Sequence, residues 1–379
     1  MKSICAPKGV SAAGIREGKF GLALIRASGT VAGVFTSNTV RAAPVEVMMD
    51  RMRRGRLDAV IVNSGCANAY TGERGLRDAE EMCAVAGESL GIDPGSVGVA
   101  STGVIGRYVN LPLIKDQCER IAPLLARSDD AEDAAARAIM TTDTFPKHAL
   151  IETGSFSVGG ITKGSGMIAP NMGTMLAFIY TDAEVEAPIL QDILRQATRR
   201  SFNRVVVDGD TSTNDVAICT ATGAAGPVRR EELADAIEAV CRSLAIQIAR
   251  DGEGATKLLE VTVRGAADED EAAAVARTVV ASPLVKTAVY GEDPNWGRVI
   301  AAAGRSGAAF DPYAVSLRVG GVPLVLKGEI VADPGAAKIA MHAATVTFDL
   351  DLAAGDGEAT AWGCDLTEGY VEINGKYTT

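Results

Sequence analysis

Two rhythms of apolar and polar positions alternate along the chain. Short apolar runs at 20–25, 31–35 and 59–62 predict strands, with Gly29 supplying a turn between the first two. Over 73–90, Leu76, Ala79, Cys83, Ala86 and Leu90 recur at helical spacing. A second helix is predicted over 188–200, where Pro188 is tolerated in the first turn. The clearest helix is Arg230–Arg250, whose Leu233, Ile237, Cys241, Leu244 and Ile248 form one stripe. It should stop at Asp251-Gly252 in a left-handed cap. Further strands are expected at 258–263, 314–319 and 346–350. No internal repeat or low-complexity linker interrupts this order. An α/β protein with mixed sheets covered by helices is the architecture it predicts.

One stretch changes character at a single residue. "KGSGMIAPNMGTMLAFIYTDA", from Lys163 to Ala183, is small and turn-forming up to Gly173. From Thr174 onward Met175-Leu176-Ala177-Phe178-Ile179-Tyr180 is unbroken apolar sequence, the mark of a buried strand.

Composition narrows the class. A chain of 379 residues with 41 glycines and 4% aromatic residues suits a packed α/β protein of one large or two smaller domains. The net charge of −11 is spread along the chain and argues against a nucleic-acid partner. No apolar run approaches the roughly 20 residues that a spanning helix needs. The first residues, "MKSICAPKGVSAAGIREGK", lack a signal-peptide core, so a cytoplasmic location is expected. Cys5, Cys66, Cys83, Cys118, Cys219, Cys241 and Cys364 are dispersed and read as reduced, buried thiols, without zinc-ligand spacing. The two histidines, His148 and His342, sit in unremarkable surroundings. Imidazole-based nucleophilic catalysis would have to use one of them, and the pattern favours chemistry without it.

Gly164-Ser165-Gly166-Met167-Ile168-Ala169 matches a dinucleotide fingerprint in letters, but a strand follows where that motif needs a helix. "GEGATK" at 252–257 lacks phosphate-loop spacing and reads as a helix cap and turn, leaving Glu253 where it could meet a ligand amine. "VDGDTSTND" at 207–215 opens like a calcium loop, yet Thr213 replaces the required glycine and Cys219 the final glutamate. A polar loop held by side-chain-to-backbone bonds, suited to lining a site, is the better reading. "ASTGVIG" at 100–106 follows a predicted strand and offers Thr102 and Gly103 in a small loop able to aim an N–H and a hydroxyl at one point.

Thr174 remains. A threonine hydroxyl needs a base, and a chain break before it would supply one in its own α-amine. That amine has an unperturbed pKa of roughly 7.7–8.0. Gly173 suits the strained backbone that precedes an acyl shift. By pattern alone, a glycine-rich loop entering a buried strand is the simpler account.

The full set of motifs decides otherwise. "NSGCANAYTG", "ASTGVIG", "IMTTDTFPK", "KGSGMIAPNMGTMLAF", "SFNRVVVDGDTSTND", "DGEGATK", "YGEDPNWGR" and "EINGKYTT" occur in order from end to end. Together they resemble the ornithine acetyltransferases of arginine biosynthesis, also called bifunctional glutamate N-acetyltransferases. The resemblance implies that family's self-cleaving fold with an N-terminal threonine nucleophile. It implies cleavage between Gly173 and Thr174, giving an α chain (1–173) and a β chain (174–379), and a heterotetramer of two of each. Gly173 departs from the alanine that many members carry there. The oxyanion hole falls on Thr102 and Gly103. Substrate contacts fall on Thr141, Lys163, Thr174, Glu253, Asn374 and Thr379, with Thr142 an alternative to Thr141.

The implied reaction is ping-pong: N2-acetylornithine acetylates Thr174, ornithine leaves, and glutamate accepts the acetyl group. No metal or prosthetic group is required. Acetyl-CoA as a further acetyl donor separates bifunctional from monofunctional members, and the resemblance extends the expectation to it. Within this chemistry, Lys163 would hold a carboxylate and Glu253 the distal ammonium of ornithine. Ile373 and Tyr377 would anchor the C-terminal tail by packing. The competing readings are a self-cleaving threonine amidase or aminopeptidase that uses water as acceptor, and a non-catalytic calcium module built on Asp208.

Overall fold

The apolar run after Thr174 becomes the strand Leu176–Glu184, and its surroundings explain why no position alternates to polar. Leu176, Phe178 and Tyr180 enter one core layer. Met175, Ala177 and Ile179 enter another on the opposite face. A strand covered on both faces has no solvent side. The computed structural model describes residues 1–169 and 175–376. Gly173, Thr174, Tyr377 and Thr379 lie outside the described residues.

This strand sits inside an eight-stranded sheet ordered Val97–Val104, Arg56–Cys66, Phe20–Phe35, Val216–Pro227, Leu176–Glu184, Ser157–Lys163, Lys147–Glu152, with Ser11–Glu17 paired on Phe20–Phe35. It is mixed: Val97–Val104 runs parallel to Arg56–Cys66, and Leu176–Glu184 parallel to Val216–Pro227, while the other pairs are antiparallel. Helices Ala187–Arg200 and Arg230–Arg250 pack Leu190, Leu194, Ile237 and Leu244 on one face. Ala43–Met52 and Asp129–Ala138 bury Met48 and Ala135 on the other. Gly72–Leu90 and Leu111–Ile121 close over Leu22, Ile61 and Val99 near the far edge.

A seven-stranded second sheet runs Glu329–Ile330, Val322–Leu326, Ser316–Val319, Thr345–Asp351, Leu258–Ala266, Gly357–Cys364, Val205–Val206. Here the strands do alternate. Val346, Phe348 and Leu350 turn inward, where Ala272, Val275, Ala276 and Val279 of the helix Glu269–Val280 also pack.

The division at 173/174 does not fall between these sheets. Leu176–Glu184 is hydrogen-bonded to Ser157–Lys163 on one side and to Val216–Pro227 on the other. Segments from both sides of the expected cut therefore share one ladder.

Four expectations are corrected. Phe20–Phe35 is one long strand, not two strands around a turn. Gly29 marks a register shift, where a Cβ would lie 2.2 Å from the Ala221 carbonyl oxygen, so close approach of a neighbouring strand explains the glycine. Thr102 and Gly103 belong to the end of the strand Val97–Val104 and not to a loop after it. At the end of Arg230–Arg250 the left-handed glycine is Gly254 (φ 70°), while Gly252 is required by packing, since a Cβ there would meet Cys364 Sγ at 2.5 Å. The tail forms the helix Glu368–Lys376, none of whose described side chains is buried. Ile373 is 37% exposed and belongs to none of the hydrophobic core clusters. The helix is tied down at its start by Thr367, whose Oγ1 donates to the Gly254 carbonyl at 2.6 Å.

The remaining elements follow the pattern closely: Gly72–Leu90, Ala187–Arg200, Arg230–Arg250, Leu258–Ala266, Ser316–Val319 and Thr345–Asp351. All seven cysteines are free and buried. Among the described residues no single helix is long and apolar enough to cross a membrane.

Candidate active site

A cavity of about 340 Å³ opens where the two expected fragments meet. Thr102 and Gly103 reach it from the end of the edge strand Val97–Val104, Lys163 from the last residue of the interior strand Ser157–Lys163, and Thr141 and Thr142 from the segment after Asp129–Ala138. Glu253 comes from just past Arg230–Arg250 and Asn374 from the C-terminal helix. Sequence positions spread over more than 270 residues thus converge on one space. Of the candidates, Gly173, Thr174 and Thr379 alone lie outside the described residues.

Local chemistry holds each group. Gly103 adopts φ 131°, and a Cβ would lie 2.4 Å from the Gly65 carbonyl carbon, so the strand end can take this path only with glycine. Thr102 is 2% exposed, and its hydroxyl accepts from Lys163 Nζ at 3.2 Å. Lys163 is equally buried, and burial pushes its ammonium below the ordinary lysine range. Asp143, Asp215 and Glu253 pull it back up and Lys147 pushes it further down. Asp143 is a buried carboxylate that burial alone would raise. The Lys163 and Lys147 ammoniums and the Gly164 N–H outweigh that and hold it down at about 2.

Glu253 is placed by its backbone and by its neighbours. Its N–H donates to the Ser165 carbonyl at 2.9 Å, and Asn374 Nδ2 donates to its Oε2 at 2.9 Å. Gly166 faces it so closely that a Cβ would lie 2.3 Å from Glu253 Cδ. The glycine-rich stretch therefore serves as a cradle for a carboxylate. Asp208 fastens the same stretch, accepting the N–H groups of Met167 (2.6 Å) and Ile168 (3.0 Å). That carboxylate, the first position of the calcium-like loop, is engaged in shaping backbone.

The polar loop does line the site, through Ser212, Thr213 and Asn214. Asn214 was not singled out by sequence, yet its Nδ2 donates to the carbonyls of Ala67 (2.7 Å) and Ser101 (2.8 Å) and pins the segment before Thr102. Asp215 is wholly buried, and its Oδ1 accepts the Met175 N–H at 2.9 Å. Burial pushes its carboxyl well above the ordinary range, against the Met175 N–H, Lys163 and the hydroxyls of Thr36 and Ser212. The signal for these two was the density of short polar groups in "TSTND". Nothing in that density says which carbonyls they reach. Neither histidine lines the cavity: His148 Nδ1 bonds Ser3 Oγ at 2.9 Å, and His342 pairs with Glu292.

The chain can be placed among known proteins. A sequence model of the ArgJ family matches residues 8–379. The glutamate N-acetyltransferase of Methanosarcina mazei is 50% identical, over 99% of this chain and 98% of its own. The arginine biosynthesis bifunctional protein ArgJ of Symbiobacterium thermophilum is 51% identical over 99% of this chain and 98% of its own. The solved structure of the arginine biosynthesis bifunctional protein from Bacillus halodurans superposes with a TM-score of 0.52 at 42% identity, covering 53% of this chain and 98% of that one. With a match along nearly its whole length and half its residues shared with such relatives, this chain belongs to the ArgJ family.

Proposed function

We propose that this chain is an N-acetyltransferase of arginine biosynthesis that moves an acetyl group from N2-acetylornithine to glutamate through an acetylated Thr174. One observation carries the reading: Thr102, Gly103, Thr141, Lys163, Glu253 and Asn374, assigned by motif from distant parts of the chain, line a single cavity. The relatives named glutamate N-acetyltransferase and bifunctional ArgJ support the same activity.

In this scheme the chain first cuts itself between Gly173 and Thr174. The solved relative, whose one chain corresponds to only 53% of this sequence, is consistent with such a division. The shared ladder around Leu176–Glu184 would keep fragments 1–173 and 174–379 together, and two of each would assemble as a heterotetramer. Thr174 Oγ then attacks the acetamide carbonyl carbon, while its α-amine takes the hydroxyl proton. Thr102 and the Gly103 N–H stabilise the oxyanion that forms. The carbon–nitrogen bond breaks, the α-amine returns the proton to the departing nitrogen, and ornithine leaves. Glutamate enters the same pocket and takes the acetyl group by the reverse steps.

Lys163 suits the α-carboxylate shared by both substrates, and Glu253 with Asn374 suits the distal ammonium of ornithine. Between the two adjacent threonines, Thr141 is the better substrate contact, because the Thr142 hydroxyl is engaged with Ser165 Oγ at 2.7 Å. Acetyl-CoA serves as a further donor if the enzyme is bifunctional.

Incubation with N-acetylornithine, with and without glutamate, tests the activity. The transferase turns over and forms N-acetylglutamate only when glutamate is present; without it, ornithine release stops at about one equivalent per active site, with the acetyl group held on Thr174. A hydrolase releases acetate equally well in both.

A further inference from the structure

Behind the cavity wall lies an ion triad that acetyl transfer itself does not call for. Lys147 is 0% exposed, and its Nζ donates to Asp143 Oδ1 at 2.7 Å and Asp251 Oδ2 at 2.5 Å. Asp143 also accepts the N–H groups of Thr141 (3.0 Å) and Gly164 (2.7 Å). Asp251 accepts the Thr144 N–H at 3.0 Å and the Thr144 hydroxyl, and stands two residues before Glu253. Three cavity-lining positions, Thr141, Lys163 and Glu253, are thus each within two residues of a group the triad grips.

Stability is a weak reason for such a construction. Taking three charges out of water is costly, and an apolar cluster of similar volume often does as well. What an ion triad adds is a fixed geometry and a local charge. The triad carries one net negative charge, which the buried Lys163 ammonium balances.

We propose that the Asp143–Lys147–Asp251 triad is a positioning device for the substrate site, fixing Thr141, Lys163 and Glu253 relative to one another and supplying the counter-charge for Lys163. This rests on the acetyl-transfer reading, in which Lys163 meets a substrate carboxylate as an ammonium. Asp143 and Lys147 face Lys163 from the segment entering the neighbouring strand, Asp215 from the polar loop, and Glu253 from beyond the long helix. Two members of the triad act on it in opposite senses: Asp143 favours its charged form and Lys147 disfavours it.

The test is the pH dependence of kcat/KM for N-acetylornithine in full-length, self-processed enzyme. Asp143→Asn and Lys147→Met should each lower kcat/KM by roughly tenfold to 100-fold, as loss of positioning does. The alkaline limb, where Lys163 loses its proton, should move to lower pH in Asp143→Asn and to higher pH in Lys147→Met. General loosening of the fold has no reason to shift the limb in opposite directions. Should Lys147→Met fail to fold, Asp143→Asn decides: a limb at lower pH supports the triad, and an unmoved limb overturns it. A wild type that transfers no acetyl group overturns the underlying reading. An active wild type whose variants keep its alkaline limb overturns the triad's role alone.

Discussion

The Nζ of Lys163 donates to the Oγ1 of Thr102 across 3.2 Å, although their strands stand five places apart in the first sheet. In a flat sheet those strands would be separated by roughly 24 Å, at about 4.8 Å per step. The sheet therefore curls until the strand Ser157–Lys163, one place in from its far edge, approaches the edge strand Val97–Val104, and the cavity forms between them. A residue proposed to hold a carboxylate and one proposed to hold an oxyanion become neighbours by this curvature.

That neighbourhood predicts how Thr102 contributes. Loss of an oxyanion-hole donor costs about 2.7–4 kcal/mol of transition-state stabilisation. Thr102→Ala should lower kcat for acetyl transfer severely and change ornithine binding much less. Steady-state kinetics beside direct titration of ornithine separates the two effects. An effect confined to binding would leave Thr102 as a partner of Lys163 only.

Gly166 makes a different prediction. A methyl group there would land 2.3 Å from Glu253 Cδ and push the carboxylate away from Asn374. Overpacking of this kind typically costs about 1–3 kcal/mol. Gly166→Ala should raise KM for N-acetylornithine by about tenfold while self-cleavage proceeds normally. Unchanged KM would show that Glu253 does not read the substrate.

Asp215 predicts a pH dependence of stability. Its folded-state pKa lies well above the ordinary 3.8, so the folded protein keeps a proton that the unfolded chain releases. The stability this contributes is fully present below about 3.8 and is lost as pH rises toward the folded-state value. Asp215→Asn keeps an oxygen to accept the Met175 N–H and removes the titration. Relative to wild type, the variant should gain in Tm as pH rises from acid toward neutral. A constant difference across the series would mean that Asp215 does not titrate with folding.

These residues also show what a sequence can and cannot reveal. The strand after Thr174 was legible because burial on both faces leaves an unbroken apolar run, and Arg230–Arg250 because its stripe keeps one period. Gly29 and Gly252 were misread because a glycine needed for close packing looks the same in sequence as one needed for a turn. The Ala221 carbonyl and the Cys364 sulfur that demand them come from far along the chain. Thr102 and Gly103 line the cavity, yet the pattern places them in a loop, since a strand that ends in a strained glycine resembles a turn. The links of Asn214 to Ala67 and Ser101, and of Lys147 to Asp251, depend on sheet order and curvature, which no local pattern encodes. Motif resemblance proposes a site membership on which periodicity is silent.

The central claim is that Thr174 is freed by self-cleavage and then carries the acetyl group. Intact mass measurement of purified protein, before and after mixing with N-acetylornithine in the absence of glutamate, tests both parts at once. The account predicts two fragments, 1–173 and 174–379, with the second gaining one acetyl group at Thr174 and losing it when glutamate is added. Thr174→Ala should remain a single unlabelled and inactive chain. An uncut wild type with full activity, or an acetyl group carried elsewhere while transfer proceeds, would contradict it.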